Sequence, residues 1–211
     1  MAESLPVLTP PEVRVLGVLV EKALSTPEYY PLTVNALVAG CNQKSNREPV
    51  VSYSDSEVQA AVDLLVRKRL VAEQTGMGSR VVKYRTLLGG VYEMTTAEKA
   101  VIAELMLRGP QTSGELRGRC TRMHAFGSVE EVEVVLHALA ACETPLVAEL
   151  PGRREPRWAH LLGGPVEATH EAEPSLAPAT PVAALSAEVD ALRSRIEALE
   201  GAFAQFRAQF E

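Results

Sequence analysis

Residues 54–85 read SDSEVQAAVDLLVRKRLVAEQTGMGSRVVKYR, and this stretch decides the fold. Ser54 and Glu57 form a Ser-x-x-Glu capping box, in which the hydroxyl accepts from an orphan N–H and the carboxylate reaches back to the cap. Behind it Val58, Ala61, Val62 and Leu65 recur at helical spacing, which predicts an amphipathic helix over roughly Asp55 to Lys68. The pattern then changes. Val71 to Gln74 and Val81 to Arg85 are short β-prone runs around Thr75-Gly76-Met77-Gly78-Ser79, a turn that predicts a hairpin. A helix feeding straight into a two-stranded hairpin is the second half of a winged helix, a helix-turn-helix variant.

Outward from this stretch, the same punctuation occurs twice. Thr9-Pro10-Pro11-Glu12 and Thr95-Thr96-Ala97-Glu98 are matching capping boxes, followed by Val15, Leu16, Leu19 and by Val101, Ile102, Leu105. Pro10 suits a first helical position, where its missing N–H would have no partner anyway. Thr33, Leu37 and Cys41 match Thr112, Leu116 and Cys120; the Ser54 box matches Ser128-Val129-Glu130-Glu131. Leu70-Val71-Ala72-Glu73 recurs as Leu146-Val147-Ala148-Glu149, and both copies close on Leu-Leu-Gly-Gly, at 87–90 and 161–164. The offset between copies shrinks from 86 to 74 along the way. Connections have therefore changed length while the elements persisted. In the second copy Val147 to Leu150 and Arg157 to Leu161 flank Pro151-Gly152-Arg153-Arg154-Glu155-Pro156.

The fold class expected is therefore mainly α with small β-hairpins: a winged-helix domain over 1–90 and a second over 91–162. Residues 163–181 carry Gly163, Gly164, Pro165, Pro174, Pro178 and Pro181 and read as a linker without a core pattern. Residues 182–211 read as a coiled-coil helix. Val182, Leu185, Val189, Leu192, Ile196, Leu199, Phe203, Phe206 and Phe210 alternate spacings of three and four, with β-branched a and leucine d positions that favour a parallel pair. The flanking pairs Glu188–Arg193 and Arg195–Glu200 are opposite in sign, so a homodimer through this helix is expected. The competing reading is an amphipathic helix folded back on its own domain. An acidic polar face argues against a membrane-surface helix.

The composition, 46% hydrophobic and 23% charged, is that of a globular chain. No run approaches the roughly 18 apolar residues of a membrane span, and the N-terminus has no basic signal region. Together with three cysteines in no CxxC pair, this points to the cytoplasm. The net charge of −6 is uneven: residues 1–90 hold 10 Lys/Arg and 9 Asp/Glu, residues 163–211 hold 3 and 8.

That distribution places any nucleic-acid contact in the first domain. Lys44, Ser45, Asn46 and Arg47 follow the second helix; Arg67 and Lys68 end the third; Arg80, Lys83 and Arg85 line the wing. Such cations gain affinity by releasing phosphate counterions, and Asn46 and Arg47 carry donors that can read base edges. Ordinary solvated surface is the competing explanation. The third helices themselves argue against groove insertion, because Asp55, Ser56, Gln59 and Asp63, and in the second copy Glu130, Glu133 and His137, point outward. Arg117, Arg119, Arg122, Arg153, Arg154 and Arg157 lie in the second copy's turn and wing.

Cys120, His124, His137 and Cys142 could be imagined as a zinc set, but their gaps fit no usual spacing, and Cys41 has Ser45 where His124 would stand. A buried structural cysteine closing helix two explains both copies. Gly76-Met77-Gly78 lacks the third glycine of a dinucleotide site, and no phosphate-binding loop, GxSxG or HExxH occurs. No metal, cofactor or catalytic activity is expected.

Tyr30-Pro31-Leu32-Thr33-Val34-Asn35-Ala36-Leu37, continuing through Cys41-Asn42-Gln43-Lys44-Ser45-Asn46-Arg47-Glu48-Pro49-Val50, resembles the YceH-like family of bacterial proteins. The likeness covers about residues 9–162 and includes Leu8-Thr9, Glu12 and the Glu21-Lys22 pair. Val34 departs from the proline expected there. The resemblance implies tandem winged helices in a family without assigned function. If its CNQKSNR signature carries function, Asn42 through Arg47 are the residues concerned; otherwise they fix the long helix connection by local hydrogen bonds. The function expected first is a dimeric regulator associated with double-stranded DNA through the first domain's helix 2–3 turn and wing; the alternative is an adaptor whose winged helices bind partner proteins.

Overall fold

Thr9 opens the first helix, α1 (Pro10–Ser25), and Glu12 Oε2 accepts from both its N–H at 2.7 Å and its hydroxyl at 2.8 Å. In this computed structural model, residues 6–75, 81–150 and 155–164 are described. They belong to one compact unit, Met1–Ala168; the linker, from residue 165, and the heptad segment lie outside the described residues.

Among the described residues the chain is mainly helical with two small antiparallel hairpins. α2 (Val34–Cys41) and α3 (Asp55–Arg67) precede β1 (Val71–Thr75) and β2 (Val82–Thr86). After the short α4 (Leu88–Val91) come α5 (Thr96–Arg108), α6 (Ser113–Arg119) and α7 (Val129–Ala141), then β3 (Val147–Leu150) and β4 (Arg157–His160). The third helix and the strands fall within a residue of expectation. The Thr112 landmark is the N-cap of α6, and with Glu115 it makes a full capping box that the sequence reading had not singled out.

The two copies repeat hydrogen bonds as well as elements. Leu32 bridges Tyr84 as Gln111 bridges Trp158, tying the start of each second helix to its own hairpin. Leu87 N–H donates to Leu70 and Leu161 N–H donates to Leu146, closing each hairpin at the same place. Val71 pairs with Thr86, and Val147 with His160.

The halves do not keep separate cores. A one-faced stripe was expected on α1, yet every residue from Glu12 to Glu21 is buried, as are Ala100 to Leu107 of α5. α1 packs on α3 on one side and on α5 on the other, so the helix has no solvent face left along its centre. Gly17 permits the approach: a Cβ there would lie 3.1 Å from Leu107 and Met106 side-chain atoms. One continuous set of buried residues runs from Leu8 to Leu162.

Candidate functional site: a buried polar seam

The connection from α2 to α3 holds the signature residues, and the side chains of Asn42, Asn46 and Arg47 turn inward. Asn42 donates to the Tyr53 carbonyl and accepts from the Tyr53 N–H, both at 2.8 Å, pinning the two ends of the loop together. Arg47 is 3% exposed. Its guanidinium donates to Glu21 through two nitrogens at 3.2 and 2.6 Å, to the Gly40 carbonyl at 3.0 Å and to its neighbour's carbonyl at 2.8 Å. Arg14, on α1, donates to the carbonyls of Cys41 and Pro49 at 3.2 and 2.7 Å. A planar guanidinium fork suits this task, because it serves several fixed acceptors at once.

The same loop reaches into the second half. Asn46 sits at φ 55°, a left-handed position that asparagine tolerates, and its amide donates to Glu104 Oε2 at 3.1 Å. Glu48 N–H donates to the Leu107 carbonyl at 2.9 Å. Glu104 is fully buried on α5, and burial raises its carboxyl above the usual range despite the Asn46 bond and Arg108 nearby. Its Oε1 faces Arg108 Nε at 3.9 Å without a hydrogen bond. Gln111 donates to the Glu104 carbonyl and accepts from Arg119, extending the polar seam to α6.

This changes the place of several expected DNA contacts. Arg47 is corrected from surface cation to buried ion-pair partner: pulling it out would strand the Glu21 charge in the interior. Asn46 is engaged with Glu104 and is not presented as a base reader. Lys68 folds back to Glu12 Oε1 at 2.6 Å and the Val7 carbonyl at 3.0 Å. Burial by itself would raise the Glu12 carboxyl, but the bonds from Lys68 and Thr9 outweigh it and hold the group below its ordinary value. Lys44, Ser45, Arg67, Lys83 and Arg85 are exposed as expected. Arg80 and the dimerisation set Val182, Leu185, Val189, Leu192, Ile196, Leu199, Phe203 and Phe206 lie outside the described residues.

Glu104 was missed in the sequence reading, and so were the partners Arg14 and Tyr53. Arg14 left a signal: a lone arginine inside the apolar run Val13 to Val20 is a charge that must find buried acceptors. Glu104 left less, since its partner lies 58 residues away.

Cys41 and Cys120 are buried, and burial pushes both thiols up to about 12, so they pack as apolar groups. Cys142 is exposed. Among the described residues, no cluster of His, Cys, Asp and Glu could hold a metal ion. No helix among them is long and apolar enough to cross a membrane.

Beside Pro49, a cleft of about 290 Å³ is lined by Leu8, Arg14, Tyr53 and His160. Burial pushes the His160 imidazole down to about 4, so it stays neutral in the fold. As pH falls from about 6.5 toward 4, the unfolded chain takes up a proton that the folded chain refuses. Stability should drop by about 3 kcal/mol through that window and level off below it. Subtracting the pH–stability curve of His160→Phe from that of the unsubstituted protein should isolate this step; a flat difference contradicts it.

These features define a class: a mainly helical, internally repeated protein whose two helix-and-hairpin halves are locked by a buried polar seam. A family model described as "Protein of unknown function, DUF480" matches residues 8–156, and the chain belongs to this family. It is 50% identical over 214 residues to a UPF0502 protein of Azoarcus sp. (strain BH72), covering 97% of this chain and 94% of that one. It is 52% identical over 161 residues to a UPF0502 protein of Shewanella halifaxensis, covering 73% and 75%. A UPF0502 protein of Chromobacterium violaceum is 48% identical over 203 residues, covering 90% and 89%. The resemblance seen in the CNQKSNR stretch thus identified the family correctly.

Proposed function

We propose that the chain is a non-enzymatic tandem winged-helix adaptor whose third helices bind partner proteins. The observation that carries this reading is the free face of α7. Glu130, Val134, His137, Ala138 and Ala141 are exposed along one side of the helix, with Glu133 beside them, and Val134 is 69% exposed. A large apolar side chain ringed by carboxylates repels phosphate and complements an amphipathic segment with basic flanks. α3 carries Asp55, Ser56, Gln59 and Asp63 at its outward positions, so neither third helix offers a cation in the half that would enter a groove. The heptads of residues 182–211 would supply a second copy, doubling the valency of the surface.

The DNA reading keeps one observation in its favour: Lys44, Arg67, Lys83 and Arg85 are exposed on the first half. A photo-crosslinker at position 134, with exposed Val91 as control position, separates the two. The adaptor reading expects a discrete protein adduct at 134 in cells that disappears with Glu130→Lys plus Glu133→Lys. It fails if positions 134 and 91 give the same adducts while the purified protein binds mixed genomic DNA with a steep salt slope. In that case Lys44→Ala with Lys83→Ala should flatten the slope by about two phosphate contacts.

A further inference from the structure

A second cleft, of about 300 Å³, lies where the first hairpin, the linking helix α4 and the second half meet. Arg85 at the end of β2 and Lys99 in the first turns of α5 both line it, and no carboxylate does. Several inward-turned cations meet a carboxylate, Arg47 with Glu21, Lys68 with Glu12 and Arg119 with Glu115, while Arg14 donates to two carbonyls instead. Neither Arg85 nor Lys99 has an ion pair among the described residues. Two unpaired cations over one cavity, in a chain of net charge −6, are an arrangement that a bound anion would complete.

Three further details fit an anion with an organic body. Tyr30 also lines the cleft, and its hydroxyl accepts from the Thr86 N–H and so keeps its own proton to donate. Val20, Ala23 and Leu24 of α1 give the opposite wall an apolar surface. Gly89 makes room for Lys99, because a Cβ there would lie 2.8 Å from Lys99 Cδ. The lysine stem crosses the linking helix only where no side chain stands.

We propose that this cleft binds a small organic anion, a carboxylate or phosphate monoester with a compact apolar group, through Arg85 of the first half and Lys99 of the second. Because the two cations come from different halves, the bound anion would tie the hairpin to α5. The inference stands independently of the adaptor reading.

The full-length protein, isotopically labelled, can be titrated at constant ionic strength with phenyl phosphate, with benzoate and with neutral benzyl alcohol. The Gly89 and Gly90 amide signals are the readout. Saturable shifts are expected with at least one of the anions and not with the alcohol; which anion responds assigns the headgroup. Arg85→Ala with Lys99→Ala should weaken the apparent affinity about tenfold or more, while Lys83→Ala leaves it unchanged. Gly89→Ala keeps both charges but displaces Lys99, and should weaken binding as well. The proposal is overturned if neither anion saturates, if the double variant binds within about twofold of the unsubstituted protein, or if Lys83→Ala weakens binding equally. Shifts produced only by duplex DNA, and by neither small anion, also overturn it.

Discussion

Arg47→Ala is expected to destabilise the protein by about 3–5 kcal/mol, a large share of the stability of an ordinary domain. The substitution leaves Glu21, 7% exposed, with a charge whose strongest partner is gone, and strips a donor from the Gly40 carbonyl. Lys22 lies 3.5 Å from the same carboxylate but from the solvent side, and offers one distant contact in place of two short ones. The double variant Glu21→Gln with Arg47→Met should lose less than the single change, because no charge is then stranded. Urea unfolding of the three proteins measures the difference. An Arg47→Ala protein as stable as the parent, yet impaired in DNA binding, would return this arginine to the surface role the sequence suggested.

Leu107→Ala should cost about 2–5 kcal/mol and lower both halves together. Leu107 is fully buried on α5, lies against Gly17 of α1, and offers its carbonyl to Glu48 of the signature loop. The single tryptophan, Trp158, reports on the second half, whereas Tyr53 and Tyr84 report on the first. Fluorescence and near-ultraviolet dichroism should therefore shift to lower denaturant in parallel, with coincident midpoints. Two separated transitions, with only the tryptophan signal displaced, would show that the shared core does not couple the halves.

The seam gives these two predictions a common origin. Helices α1 and α5 occupy equivalent places in the repeat and pack on each other, so each supplies the missing cover for its counterpart. The signature loop lies across this junction: Asn46 and Glu48 bond to α5, while Arg47 anchors the loop to Glu21 of α1. A motif that reads like a surface loop, with two cations and three amides, thus uses Asn42 and Arg47 to brace the first half and Asn46 to join it to the second. The exposed acidic face of α7 and the cleft lined by Arg85 and Lys99 are the surfaces on which the two proposals rest.

Local chemistry carried much of this in the sequence. Capping boxes at Thr95 and Ser54, the helical spacing of Val58, Ala61, Val62 and Leu65, and the β-prone runs after each third helix act between near neighbours. A pattern of period 3.6 or 2 therefore shows them without knowledge of the rest of the chain. The repeat was legible for the same reason, whereas the family was legible only through the resemblance of the CNQKSNR stretch. What only the tertiary structure decided is which of two polar roles a given side chain plays. Arg47 and Lys44 are three residues apart in one loop, and nothing in their spacing says that one meets Glu21 while the other meets water. That choice depends on where α1 and α5 lie once packed, since a guanidinium is stable inside only when acceptors from distant segments arrive around it.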